Sequence, residues 1–127
     1  MAGPVVIWGA GAIGGTIGAC LRHAGHEVAF VDVVPEHVQA IRAGRLRIEG
    51  PVRDFITGGP AFLPSEVSGR HTLILLAVKA HHPEAATRAL KPYLAEDGAV
   101  VSCQNGLNEL VIQDIVGRER TIGCFVN

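Results

Sequence analysis

Two rhythms of hydrophobicity alternate along the chain. Four short runs are apolar at nearly every position: Pro4–Trp8 (PVVIW), Glu27–Val31 (EVAFV), Leu73–Val78 (LILLAV) and Ala99–Ser102 (AVVS). Continuous rather than alternating hydrophobicity is what a parallel strand needs when helices cover both its faces. Between the runs, apolar residues recur every three or four positions. Ala12–Ala24 carries Ile13, Ile17, Cys20, Leu21 and Ala24, and stops at Gly25. Pro35 opens a second helix, with Val38 and Ile41 on one face and Gly44 as its stop. Pro83 opens a third, with Ala86, Ala89, Leu90 and Tyr93, and Asn105–Val116 reads as a fourth, with Leu107, Leu110, Val111 and Ile115 apolar. Proline at a helix start and glycine past its end are the expected stops. Ile122–Val126 reads as a last strand.

One segment breaks this rhythm. Leu46–Phe62 alternates around Gly50-Pro51 and closes on Gly58-Gly59-Pro60, which predicts a short antiparallel ribbon inserted before the strand at Leu73. Everything else predicts an α/β fold with a doubly wound parallel sheet. No linker or short-period repeat interrupts it, so residues 1–127 are expected to form a single domain.

Composition narrows the class. The chain is 48% hydrophobic and 18% charged, which excludes a disordered tail. Eleven Lys and Arg against 12 Asp and Glu give a net charge of −1, so no basic field draws nucleic acid or a membrane surface. The longest apolar run, Thr72–Val78, is too short to cross a bilayer. Met1 leads almost directly into the first strand, so no signal peptide is expected. Cys20, Cys103 and Cys124 are an odd, widely spaced set; they read as small buried side chains in a reducing, cytoplasmic compartment. Glycine is in excess, 16 of 127 residues, about twice its usual share.

Part of that excess is concentrated where it has a use. Gly9-Ala10-Gly11-Ala12-Ile13-Gly14 is a G-x-G-x-x-G motif directly after the first strand and opening the first helix. In this strand–turn–helix context it is the fingerprint of a Rossmann-type NAD(P)-binding domain. Gly9 permits the sharp turn, Gly11 lets backbone approach a pyrophosphate, and Gly14 lets helix and strand pack closely. The helix then offers its unpaired amides and partial positive charge to the phosphates. Gly15 and Gly18 read as helix–sheet packing. Asp32, at the end of the second strand, follows Gly14 by 18 residues and Gly9 by 23, bracketing the usual spacing of about 20 for the carboxylate that accepts the ribose hydroxyls of NAD. Residues 33–41 hold no arginine for a 2′-phosphate, so NAD is favoured over NADP. Asp32 is equally placed to cap the helix that opens at Pro35.

Two polar residues follow the later strands. Lys79 comes after Leu73–Val78, and Asn105 follows Cys103-Gln104. Ligands of open α/β sheets bind beyond the carboxyl ends of the strands, which sets both residues on the rim of the glycine loop. Lys79 supplies a compact charge, and Asn105 supplies a donor and an acceptor. A snorkelling surface lysine and a helix cap are the alternatives. The histidines lack ligand spacing: His81 and His82 are adjacent, and His23 and His26 flank a turn, so no metal site is expected.

In order, Gly9-Ala10-Gly11-Ala12-Ile13-Gly14-Gly15, Gly25-His26-Glu27-Val28, Val78-Lys79-Ala80 and Gln104-Asn105-Gly106-Leu107 with Glu109 resemble the amino-terminal, cofactor-binding domain of the ketopantoate reductase (2-dehydropantoate 2-reductase) family. The resemblance spans essentially the whole chain. It implies reduction of a 2-oxo acid to a 2-hydroxy acid by hydride transfer from NADPH, with Gly9–Gly14 on the pyrophosphate. It also implies that Lys79 and Asn105 approach the nicotinamide ribose, and that Asn105 meets the keto acid. Two departures stand out. Where the family typically has an arginine after the second strand, this chain has Asp32-Val33-Val34. The family also has a helical second domain that brings a catalytic lysine and a glutamate. That domain is absent from these residues, so no catalytic residue is assigned and the chain alone is expected to bind cofactor without efficient turnover. The apolar surface facing the absent domain is expected to favour a homodimer. Other expectations compatible with the residues are an opine-forming or 3-hydroxyacid dehydrogenase of the same build, or a stand-alone NAD-sensing module.

Overall fold

The computed structural model describes residues 4–48, 55–77, 83–102 and 108–123. In chain order these form β1 (Val5–Trp8), α1 (Ala12–His23), β2 (Val28–Val31), α2 (Pro35–Arg42), β3 (Leu46–Ile48), β4 (Phe55–Thr57) and β5 (Ala61–Phe62), followed by β6 (His71–Leu76), α3 (Pro83–Leu90), β7 (Leu94–Ser102), α4 (Asn108–Val116) and β8 (Thr121–Gly123). Six strands make one sheet in the order β5-β2-β1-β6-β7-β8, every pair parallel. The chain winds outward from β1 through β2 to β5, then returns past β1 to β6 and winds the other way. This is the Rossmann-like doubly wound arrangement, with its switch point between β1 and β6.

The apolar runs are buried on both faces. Ile7, Val28 and Phe30 pack with Ala19 of α1 and with Val38 and Ile41 of α2. On the opposite face Val6, Trp8, Val31, Ile74, Leu76 and Val100 pack with Leu90 of α3 and with Ile112 and Val116 of α4. A fully buried aliphatic side chain contributes about 1.5–3 kcal/mol, so these two layers hold the helices to the sheet. At the edge of the second layer Trp8 stacks on Tyr93, ring centroids 6.4 Å apart.

Helix α1 meets the sheet through its smallest residues. Gly14, Gly15, Gly18 and Ala19 are buried, whereas Cys20 is exposed. That corrects the expectation of a buried Cys20. A Cβ on Gly18 would lie 2.4 Å from the Phe30 ring and 3.0 Å from Ile7, so the glycine side must face the sheet and Cys20 is turned to solvent. Cys103 and Cys124 lie outside the described residues.

The inserted segment divides in two. β3 pairs antiparallel with β4, as the alternation predicts, and its Gly50-Pro51 turn lies outside the described residues. Ala61–Phe62, expected to belong to that ribbon, instead forms β5 at the edge of the main sheet, parallel to β2. The Phe30 amide donates to the Pro60 carbonyl at 2.9 Å and the Asp32 amide to Phe62 at 3.1 Å.

Other boundaries move as well. β6 begins at His71 rather than Leu73, and β7 at Leu94 rather than Ala99. The β6–β7 register jumps from His71↔Leu94 to Leu73↔Ala99, leaving a bulge in β7. The Arg120 guanidinium donates to the carbonyls of Leu94, Ala95 and Gly98 there, giving partners to acceptors in the irregular stretch. α3 stops at Leu90 and a single 3₁₀ turn, Lys91–Tyr93, follows; the residue before Pro92 is disfavoured in α geometry. α4 is described from Asn108 and β8 from Thr121 to Gly123. The flanking residues 103–107 and 124–127 lie outside the description.

Candidate functional site

The turn after β1 is built by Gly9, whose φ of 102° lies in the region that favours glycine. Its amide donates to the Val31 carbonyl at 2.7 Å, anchoring the turn to β2. Helix α1 then begins from Gly11, and its ladder starts with Gly15 N–H to Gly11 C=O at 2.7 Å. The first-turn amides ahead of Gly15 have no intrahelical acceptor. Among the described residues no side chain caps them, and the first turn holds no acidic residue, so the positive end of the helix favours an anion.

The glycines of the motif divide by what the fold demands. A Cβ on Gly14 would sit 1.9 Å from the Gly9 carbonyl oxygen and 3.1 Å from the Ala77 Cβ; close packing within the chain requires it. A Cβ on Gly11 would meet nothing within 4 Å. Gly11 is therefore not needed by the fold and instead leaves an open cradle at the head of α1, which suits a diphosphate.

Asp32, at the end of β2, accepts from the Ala10 amide at 2.9 Å through Oδ2 and from the Val34 amide at 3.0 Å through Oδ1. The α2 N-cap is Val34, without a side-chain cap, so Asp32 closes the turn before the helix rather than capping the helix itself. A carboxylate has about four lone-pair positions, and two of these remain for ribose hydroxyls. On the other side of the same residue, His37 Nε2–H donates to the Ala10 carbonyl. Gly9, Gly11, Asp32 and His37 line a cleft of about 550 Å³, walled by exposed Val33 and Val34 and by Ala85, Ala86 and Ala89 of α3. It opens at the carboxyl ends of β1 and β2, beside the switch point. Another hollow, about 400 Å³, lies at the amino ends of the strands among Pro4, Glu27, Pro60 and His71, out of reach of the glycine loop.

The sequence profile described as "Ketopantoate reductase PanE/ApbA" matches residues 5–127. The chain belongs to the ketopantoate reductase family. The 2-dehydropantoate 2-reductase of Lactococcus lactis is 32% identical over 125 residues, 97% of this chain and 37% of its own length. A ketopantoate reductase of the same family from Ralstonia eutropha superposes with a TM-score of 0.81 at 36% identity, covering 97% of this chain and 40% of that one. D-mandelate dehydrogenase, in a ternary structure with NADH and anilino(oxo)acetate, superposes with a TM-score of 0.84 at 31% identity, covering 94% and 39%. The chain thus spans well under half the length of these relatives.

Of the residues predicted for the site, Gly9 to Gly14 and Asp32 come together around one loop, with Ala12 and Ile13 supplying first-turn backbone. Lys79 and Asn105 lie outside the described residues. His37, Val33 and Val34 are cleft residues that the sequence did not single out. The available signal was their position in the turn and first helical residues after the acidic strand end. Arg42 is engaged elsewhere: Nε donates to the Ala61 carbonyl at 2.6 Å, Nη2 bonds Glu66 at 2.9 Å, and Cζ lies 5.9 Å from the Phe62 ring centroid. The Leu63 amide and Arg42 together hold the Glu66 carboxyl below its usual pKa. Among the described residues no three His, Cys, Asp or Glu groups converge as a metal site, and no helix is long and apolar enough to cross a membrane.

Proposed function

We propose that this chain is the cofactor-binding domain of an oxidoreductase that reduces a 2-oxo acid to a 2-hydroxy acid, taking NADH in preference to NADPH. The observation that carries the proposal is the open Cβ direction at Gly11, at the head of an uncapped helix whose loop is tied to Asp32. The loop amides hold the pyrophosphate, and the free lone pairs of Asp32 accept the adenosine ribose hydroxyls. That carboxylate disfavours a 2′-phosphate. The nicotinamide, when bound, supplies the hydride. By resemblance to the family, Lys79 and Asn105 orient the nicotinamide ribose and the keto acid, and a second domain contributes the proton-donating lysine.

Among substrates, a 2-oxo acid of the pantoate pathway type is favoured by the 2-dehydropantoate 2-reductase of Lactococcus lactis. A bulkier 2-oxo acid is the second reading, supported by the similarity to a D-mandelate dehydrogenase solved with NADH. Calorimetric titration with NADH and NADPH tests the cofactor assignment. Binding of NADH, preferred over NADPH and weakened by Gly11→Val, is expected; absence of binding by either nucleotide overturns it. Comparing ketopantoate with benzoylformate as oxidants of NADH, on protein that also carries the family's second domain, separates the two substrate readings.

A further inference from the structure

His37 lines the same cleft as Gly11 and Asp32 and is bonded to the glycine loop itself. The Ala10 carbonyl can only accept, so Nε2 must carry the hydrogen. Neutral His37 is therefore the Nε2–H tautomer, and a proton gained on acidification goes to Nδ1. The bond to Ala10 is available in both states. What changes is the charge, together with a new donor at Nδ1.

That charge matters because the ribose rim is otherwise acidic. Asp32 stands at the end of β2, and Glu36, exposed, precedes His37 on α2. Residues 33–41 contain no Lys or Arg. Arg42, also on α2, is held by Ala61 and by Glu66 of the β5–β6 connection. On α3, Arg88 is paired with Glu84 at 3.2 Å. Among the described residues lining the cleft, His37 is the only side chain that can become cationic.

Building on the cofactor assignment above, we propose that His37 is a specificity-determining residue of this site. Protonated, it offsets Asp32 and admits a 2′-phosphorylated dinucleotide; neutral, it leaves the site selective for NADH. The test measures dissociation constants for NADH and NADPH on the protein at about pH 6 and about pH 8, on either side of the ordinary histidine value of about 6.5. The NADPH/NADH discrimination is expected to shrink about tenfold toward the lower pH, the size of effect one nearby charge exerts. The 2′-phosphate itself gains a proton near pH 6, so the comparison is with His37→Gln, whose amide still donates to Ala10 but cannot charge. This variant should show only the smaller, phosphate-borne change. His37→Lys, a permanent cation, should tighten NADPH at both pH values, a gain that misfolding cannot imitate. If NADH binds but wild type and H37Q share one pH dependence, or H37K gains no NADPH affinity, the role of His37 is refuted while the cofactor assignment stands. If neither nucleotide binds wild type, both fall.

Discussion

Asp32 Oδ2 accepts the Ala10 amide at 2.9 Å across 22 residues of sequence. The end of β2 and the turn after β1 are thereby one unit, since the next amide toward β1, Gly9, also donates to β2 through Val31. Under the proposed cofactor assignment, the carboxylate that accepts the ribose hydroxyls is also the one that holds the glycine loop in shape, so pyrophosphate and ribose binding would be coupled through Asp32.

Asp32→Asn tests that coupling. An amide can accept from one of the two backbone donors but turns its own N–H₂ toward the other. Hydrogen bonds to charged groups contribute about 1.5–3 kcal/mol, so urea unfolding should show a loss of about that size. NADH affinity should fall at the same time, by about tenfold for each 1.4 kcal/mol of lost interaction. Unchanged stability together with weakened NADH binding would mean that the Ala10 amide has another partner and that Asp32 serves the ligand alone.

Arg120 is the structural counterpart at the far edge of the sheet. Its guanidinium reaches the carbonyls of Leu94, Ala95 and Gly98, where β7 bulges. Arg120→Met keeps much of the side-chain volume and removes every donor, leaving part-buried carbonyls short of partners. A loss of about 1–3 kcal/mol is expected in chemical denaturation, with amide exchange accelerated first along Leu94–Gly98. Uniform acceleration across the whole sheet would contradict this local role.

The sheet was readable from the sequence where physics is local. Val5–Trp8 and Val28–Val31 are apolar at every position because both faces are covered, and the glycine motif and Asp32 sit at fixed offsets from those strands. Features set by distant partners were not readable. β5 has two residues, too few to show a period, and its place comes from backbone pairing with Phe30 and Asp32. The start of β7 contains Glu96 and Asp97, which argue against a strand until Arg120 is considered. Cys20 shares the apolar spacing of Ile17 and Leu21, yet the Phe30 ring selects Gly18 for the sheet side of α1. His37 carries no motif; only its bond to Ala10, 27 residues away, marks it.

Glu66 predicts an acid-sensitive edge. Its carboxylate accepts the Leu63 amide at 2.8 Å and pairs with Arg42, and these contacts lower its pKa in the folded chain. On acidification the unfolded chain takes up this proton first, near the ordinary glutamate value of about 4.3. The contribution is therefore present above that pH and is lost as pH falls through the lower folded value. Glu66→Gln should melt below wild type near neutrality, and the difference should close in acid. Both side chains of the ion pair are substantially exposed, so the gap should be small and should narrow further in high salt. A gap that widens in acid would have the wrong sign for this linkage.

Gly11 and Gly14 separate ligand from fold most cleanly. Gly14→Ala drives a Cβ to 1.9 Å from the Gly9 carbonyl oxygen. Neither atom can move without shifting the turn or α1, so a stability loss of about 3 kcal/mol or more is expected. Gly11→Ala meets no atom within 4 Å, so the expected cost is only the N-cap preference of glycine over alanine, about 1 kcal/mol. Its methyl occupies the proposed diphosphate cradle, however, so NADH binding should weaken by at least about tenfold, or 1.4 kcal/mol. Denaturation and titration on the same two proteins therefore give opposite rankings if the cradle holds the cofactor. A G11A protein that folds and binds NADH like wild type would place the pyrophosphate elsewhere.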